Sequence, residues 1–371
     1  MQKGNKYILN RIIQIEIPQI TISDTEKQKW HSLYSEIRRQ ANEEWIKEIY
    51  SFLMHWTDTN DTIDLQTSGS TGTPKTIRVK KSAMIFSAQQ SVSFFNFSED
   101  EKWLLCLPAK FIGGQMLIVR AMLCRAVVFA VEPKIDLGIT GSFDFASMIP
   151  LQAEKYPDSD LKIKRILIGG ASIPKPIEEK LKRNNKSEFY ASYGMTETIS
   201  HIALRKINGT NASAYFKPLK NILLGTDERG CLTIYNRNYS EHVIITNDLA
   251  EFNAENEFQI IGRADHIINS GGLKIIPEII EKIISAVLPG NILVIGIPDE
   301  NLTEKPILLI EGQKQDSSVL ILLKNYINEN IEKNKQPKEI VFIERFEYTE
   351  SGKVNRRETK ERYLRSFLSS L

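Results

Sequence analysis

Apolar and polar positions along this chain follow two periods, and the switches between them mark out elements. "YILNRIIQIEI" near the N-terminus alternates like a strand, with Arg11 and Glu16 interrupting the apolar run. Ser23 followed three residues later by Glu26 has the form of a capping box. It predicts a long amphipathic helix whose inner face carries Trp30, Leu33, Ile37, Trp45, Ile49 and Leu53. "TIDLQ" and "KTIRVKK" then alternate with period two around a nine-residue polar stretch. Beyond them strands and helices take turns. "KWLLCLP", "RAVVFAVEP", "IKRILIGG" and "SEFYASYG" read as strands, while "GGQMLIVRAMLC", "FASMIPLQAEKY" and "PKPIEEKLKRN" read as helices. That rhythm predicts an α/β fold with ligands at the carboxyl ends of strands.

The character changes past Ile261. "EFQIIGRADHIINSGGLKII" predicts a short hairpin, and Pro277 opens a helix. "NILVIGIP" and "KPILLIEG" follow as strands, then a helix through "VLILLKNYINENI", a strand "EIVFIERF" and a polar loop "EYTESGKVNRRE". The expected organisation is a large α/β domain over residues 1–262 and a smaller α+β domain over 263–371. The 371 residues carry a formal charge of +2, 42% hydrophobic and 25% charged side chains. This near-neutral balance argues against nucleic-acid or membrane partners, and no apolar run is long enough to span a bilayer. Three scattered cysteines, Cys106, Cys124 and Cys231, make neither a disulfide framework nor a zinc pattern, and the N-terminus lacks a signal-peptide cleavage site. A reducing cytoplasm is the expected compartment.

The polar stretch between the two alternating segments is "TSGSTGTPK", Thr67 to Lys75. Ser, Thr, Gly and Pro clusters are ordinarily plain loops. This one is confined between strands and ends in a lysine, so its short donors and cation suit a polyphosphate. Its spacing is not that of a Walker loop. Four further stretches accompany it: "GGAS" from Gly169 and "YGMTET" from Tyr193, each after a predicted strand, "GRADHIINSGG" from Gly262, and "SGKVNRR" with Lys353. Asp248 lies in "TNDLAEF".

In this order the set resembles the adenylate-forming superfamily of acyl- and aryl-CoA ligases, luciferases and peptide-synthetase adenylation domains, from about Asp64 to Arg357. "YGMTETISHIALR" is most similar to the o-succinylbenzoate–CoA ligases of menaquinone biosynthesis. The chain departs from the superfamily in three places. Only 66 residues precede Thr67, implying a reduced N-terminal part; Phe111 stands where a histidine is usual in "LPAKFIGG"; and Asn247 replaces the glycine before Asp248.

The resemblance implies a large adenylate-forming domain with a smaller, mobile C-terminal domain, and an AMP-forming acid–thiol ligase using ATP, Mg²⁺ and CoA. Thr67, Ser68, Gly69, Ser70, Thr71, Gly72 and Lys75 would wrap the phosphates, with Gly170 and Tyr193 completing the nucleotide site. Thr196 would bond the α-phosphate and Glu197 would hold Mg²⁺. Asp248 would take the ribose hydroxyls with support from Arg263, and Lys353 would bridge the substrate carboxylate and the α-phosphate. Asp265 matches the hinge, and Ser270, Gly271 and Gly272 the CoA tunnel. Gly194, Ser200 and His201 are candidates for the acyl-pocket wall, and Lys110 and Arg205 for a cation facing the aromatic carboxylate. Partners would be small molecules, with a homodimer left open. The alternatives are another aryl- or acyl-CoA ligase, or a stand-alone adenylation domain that loads a carrier protein.

Overall fold

The structure is a computed structural model that describes residues 7–8, 12–66, 76–313, 316–348 and 354–368. It forms two compact units: Met1–Leu223 with Tyr235–Ile244, and Leu224–Ile234 with Ile245–Leu371. The expected division between 262 and 263 falls inside the second unit. Among the described residues no helix is long and apolar enough to cross a membrane.

The first unit is built on a nine-stranded sheet. Its order is Tyr7–Ile8, Ile12–Ile15, Val127–Ala130, Lys102–Leu105, Gly141–Met148, Leu161–Ile168, Glu188–Gly194, His201–Lys206 and Lys217–Pro218. The five strands from Val127–Ala130 to Glu188–Gly194 pair in parallel; the flanking pairs are antiparallel. A parallel sheet needs cover on both faces, which explains the apolar runs in these strands. Helices Pro150–Lys155 and Lys175–Lys182 contribute Ala153, Ile177 and Leu181 to a core with Leu104, Met148, Ile166 and Ile168. Helix Ile112–Cys124 is buried almost all round and packs with helix Lys81–Phe95. Such a helix must be apolar on every side. Arg120 breaks that rule.

Two helices differ from what the sequence pattern predicts. The capping box at Ser23 is present, with the Glu26 carboxylate accepting from the Ser23 N–H at 2.9 Å. The long helix is instead two, Asp24–Gln40 and Glu44–Thr57, because Ala41 is extended and turns the chain back. The return sets Tyr34 and Tyr50 with ring centroids 5.8 Å apart and both buried. One straight helix would hold these rings about 24 Å apart along its axis. "FASMIPLQAEKY" is also divided. Phe145 to Met148 finish the strand Gly141–Met148, and the helix begins at Pro150. Proline suits the first helical position and forces Ile149 before it into an extended conformation.

The second unit holds the sheet of Leu223–Thr226, Cys231–Tyr235, Ile244–Phe252 and Phe258–Arg263, and a second sheet. In the latter, Ile292–Asp299 and Thr303–Glu311 form an antiparallel pair, and Glu339–Ile343 joins the latter in parallel. One face packs Val294, Leu308 and Ile310 on helices Pro277–Ile284 and Ser317–Asn330. The other packs Leu293, Ile295, Ile307 and Leu309 with Tyr363 of helix Arg356–Leu368. Both faces are covered, so "ILVIGIP" and "PILLI" read as continuous apolar runs.

The strand Leu161–Ile168 carries one charge inward. Arg165 donates to the Glu101 carboxylate at 2.6 Å and to the Phe95 carbonyl at 2.8 Å, with its guanidinium 4.7 Å from the Phe97 ring centre. Both side chains of the ion pair are about nine-tenths buried. Arg165→Met strands the Glu101 carboxylate and is expected to cost about 3–5 kcal/mol. The double change Arg165→Met with Glu101→Leu is expected to cost less than the single one, as measured by denaturant midpoints.

Candidate active site

Segments 67–75 and 349–353, with the phosphate-loop residues Thr67 to Lys75 and with Lys353, lie outside the described residues. Their flanks are in place. Gln66 and Thr76 are paired strand residues, and Tyr348 and Val354 form an antiparallel bridge.

In the first unit, the candidate residues sit at the carboxyl ends of two adjacent parallel strands. Gly170 follows Leu161–Ile168 with φ +82°, a left-handed conformation that glycine adopts without strain. A Cβ on the neighbouring Gly169 would stand 2.5 Å from the Ser192 Oγ. That hydroxyl donates to the Ile168 carbonyl at 3.0 Å, so the two strand ends are drawn together. Tyr193 and Gly194 end the strand Glu188–Gly194, and a one-turn 3₁₀ helix presents Thr196 half-buried and Glu197 exposed. Tyr193 packs on Phe216 with ring centroids 6.0 Å apart.

The turn that follows is strained. Ile199 has φ +66° and ψ −49° and is buried, and the Ser200 N–H donates to the Thr198 carbonyl at 2.6 Å. This is a γ-turn centred on a β-branched residue, a rare geometry. The buried Thr198 hydroxyl holds it, accepting from the Met195 N–H at 3.0 Å and donating to the Ser200 carbonyl at 2.8 Å. His201 then pairs with Gly194, whose missing Cβ would meet the Ser200 carbonyl oxygen at 2.3 Å. The strain therefore sets the direction of Ser200 and His201.

Both converge on Arg120. Its Nη2 donates to the Ser200 Oγ at 2.6 Å and approaches the His201 Nδ1 at 3.4 Å, while its Nε donates to the Ser91 Oγ at 3.0 Å. The guanidinium is 2% exposed, and among the described residues no carboxylate pairs with it. Burial pulls its pKa down to about 10, with the Tyr239 phenol opposing. Arg120 is nonetheless a cation at neutral pH. Sequence reasoning missed this residue. The available signal was one arginine inside the apolar run "GGQMLIVRAMLC".

The two cations singled out earlier are otherwise engaged. Arg205 makes a bidentate pair with Glu178, at 2.7 and 3.0 Å, and lies 5.5 Å from the Phe216 ring centre. Burial works to raise the Glu178 pKa, but Arg205 prevails and holds it below the ordinary value. Lys110 is exposed, 3.7 Å from the Glu48 carboxylate and 5.1 Å from the Phe111 ring centre. His201 is buried with both ring nitrogens occupied, which leaves no nitrogen free for a substrate proton.

The second unit holds the remaining candidates. Asp248 lies in the strand Ile244–Phe252 and is register-paired with Arg263, which donates to it at 3.0 Å. Arg263 also grips both oxygens of Asp265, at 2.9 and 3.2 Å. Burial would raise the Asp265 pKa, yet Arg263 holds it below its ordinary value. Asn247 accepts from Arg229 at 3.1 Å. Gly271 and Gly272, at φ +57° and +82°, form the two-residue turn between strands Ile268–Ser270 and Leu273–Ile275. Two left-handed residues at such a turn match the twist of the strands. Ser270 is buried at its root.

Comparison with known proteins gives this geometry its context. The chain is 26% identical over 96% of its length to the 2-succinylbenzoate–CoA ligase of Listeria monocytogenes, spanning 81% of that protein. The solved acyl-CoA synthetase (AMP-forming)/AMP-acid ligase II-like protein of Dyadobacter fermentans is 31% identical, with a TM-score of 0.58 over 88% of this chain and 97% of that one. The o-succinylbenzoate CoA synthetase of Bacillus subtilis, solved with an acyl-adenylate intermediate, shares the fold at 21% identity, with a TM-score of 0.67 over 80% of this chain and 68% of that one. The profile of the AMP-binding enzymes matches residues 19–222. With more than half of its residues inside that match, at the strand ends just described, the chain belongs to the family of AMP-binding enzymes.

Proposed function

We propose that this protein is an AMP-forming ligase that joins o-succinylbenzoate to CoA in menaquinone biosynthesis. An oxygen of the succinyl carboxylate attacks the α-phosphorus of ATP and pyrophosphate leaves. The CoA thiolate then attacks the acyl carbon, and AMP leaves with the electron pair of the broken C–O bond. The ring carboxylate passes through both steps unchanged, so the enzyme must hold a second anion away from the phosphates.

Arg120 carries this reading. A guanidinium removed from water, whose partners among the described residues are hydroxyls and an imidazole, costs several kcal/mol. An arriving carboxylate would offset that cost through charge-assisted hydrogen bonds to Nη1, whose protons none of these contacts uses. Arg120 lies beside Ser200 and His201, one strand away from Gly194 and the nucleotide-facing motif. We therefore move the role of carboxylate reader from Lys110 and Arg205 to Arg120.

The other roles follow the family. Thr196 bonds the α-phosphate, and Glu197 with it supplies oxygen donors of the kind Mg²⁺ prefers. Among the described residues no three His, Cys, Asp or Glu side chains gather, which suits an ion that takes most of its ligands from phosphate and water. When bound, Mg²⁺ neutralises phosphate charge. Asp248 accepts the ribose hydroxyls while Arg263 steadies it. Lys353 places a point charge at the α-phosphate during adenylation, and Asp265 serves as the pivot by which the C-terminal part, from 263 onward, presents Ser270 to Gly272 to the CoA arm.

Two outcomes are expected. Arg120→Met, assayed with ATP, Mg²⁺ and CoA, raises the KM for o-succinylbenzoate by about thirtyfold or more, a loss of about 2–5 kcal/mol. The KM for 4-oxo-4-phenylbutyrate, which lacks the ring carboxylate, stays as in wild type. The Tm stays close to that of wild type, because the lost hydrogen bonds to Ser91, Ser200 and His201 are offset by removing a buried charge that no carboxylate among the described residues pairs. A falling Tm with unchanged acid use would make Arg120 structural. Lys353→Ala loses about 10²–10³ in the rate of pyrophosphate release. It keeps thioester formation from supplied acyl-adenylate. If wild type forms an adenylate that CoA never consumes, the protein loads a carrier instead.

A further inference from the structure

The hydrogen-bond arithmetic around Arg120 singles out a second residue. Ser91 Oγ has one proton and three neighbours: the Ser87 carbonyl at 3.3 Å, the Arg120 Nε at 3.0 Å and the His201 Nε2 at 2.8 Å. Arg120 can only donate, and the Ser87 carbonyl can only accept. If Ser91 donates to Ser87, the His201 Nε2 must carry the proton that Ser91 receives, which leaves Nδ1 bare to accept from the Arg120 Nη2. If Ser91 donated to His201 instead, the imidazole proton would sit on Nδ1 and face a guanidinium N–H. Full protonation would do the same and add a second positive charge. Only the neutral tautomer with its proton on Nε2 satisfies every partner.

We infer that His201, neutral and protonated on Nε2, is a positioning residue that with Ser91 and Ser200 orients the Arg120 guanidinium, and so sets the preference for an acid with a second carboxylate. The role in selectivity rests on the reading of Arg120 as the carboxylate reader; the tautomer rests on the geometry alone. Each contact comes from a different element. Ser87 and Ser91 lie on helix Lys81–Phe95, Arg120 on helix Ile112–Cys124, and Ser200 on the strained turn. Among the described residues, the charged or titratable groups bearing on this cluster are Arg120 and Tyr239. His201 is 5% exposed, so water does not compete for its nitrogens. Acceptors on Nε and Nη2 fix the plane of the guanidinium, and a carboxylate approaching Nη1 needs that plane fixed.

Burial, followed by the Arg120 charge, holds the His201 pKa well below 6.5. The unfolded chain therefore takes up a proton at about pH 6.5 that the folded chain refuses. The stability from His201 is full above that pH and is lost as pH falls toward the folded value.

Nitrogen NMR of the whole chain labelled at its five histidines tests the tautomer, with His201→Gln assigning the signals. A bare Nδ1 and a protonated Nε2 that do not titrate near 6.5 are expected. A protonated Nδ1, or ordinary titration, would overturn the inference. Kinetics test the role. Gln supplies the same acceptor and donor, so His201→Gln is expected to keep the preference for o-succinylbenzoate over 4-oxo-4-phenylbutyrate. His201→Leu is expected to raise the KM for the first acid about tenfold, one lost hydrogen bond to a charged group, and to leave the second acid and ATP unchanged. Equal losses on both acids would reduce His201 to a packing residue. Should wild type use neither acid, the proposed function fails, while the NMR result still decides the tautomer.

Discussion

A guanidinium placed in a protein interior needs either an anion or a reason to stay charged without one. Among the described residues no carboxylate pairs with Arg120, which is buried and meets hydroxyls and an imidazole that the surrounding elements bring to it. Much of the local architecture follows from supplying those acceptors. Ser91 reaches it because helices Lys81–Phe95 and Ile112–Cys124 pack together. Ser200 reaches it because Ile199 accepts a backbone conformation that β-branched residues avoid. His201 reaches it because Gly194 lets the next strand approach to a distance no Cβ would tolerate. Such strain persists where the neighbouring structure over-determines it, and it gathers at functional sites.

The contrast with Arg165 and Arg205 clarifies what is unusual here. Each of those arginines has its own glutamate, Glu101 and Glu178, and each pair completes a structural contact. A paired arginine has little left to offer a substrate. An unpaired one keeps its binding capacity, at a cost to the free protein. In the role proposed for it, Arg120 lowers the stability of the free protein and recovers that cost when an anion arrives, the exchange expected wherever a binding site precedes its ligand.

Asp248, Arg263 and Asp265 form a different kind of network. Here two carboxylates accept from the same guanidinium. The residue expected to hold the ribose and the residue expected to act as pivot share a guanidinium, so a ligand that draws on Asp248 changes what Arg263 can give Asp265. The coupling needs no long path, because strand pairing places Arg263 directly across from Asp248.

Much of this was legible in the sequence. Strand and helix periodicity located the parallel sheet, the capping box at Ser23, the helix opened by Pro277 and the two-glycine turn at Gly271, because each depends on residues near one another in the chain. The family was legible for the same reason: its motifs are local. What only the tertiary structure decided is which distant side chains meet. The pattern over Trp30 to Leu53 suits one long helix as well as two, and burying Tyr34 against Tyr50 selects the pair. Phe145 to Met148 are apolar enough for either state, and sheet pairing made them strand. Arg205 looked free until Glu178, 27 positions away, was found beside it. Arg120 is one polar residue in an apolar helical stretch of the sequence, and only the fold shows that its partners, 29, 80 and 81 positions away, are two hydroxyls and an imidazole. Periodicity tells which face of an element is buried; whether a buried charge is compensated depends on the other elements that close over it.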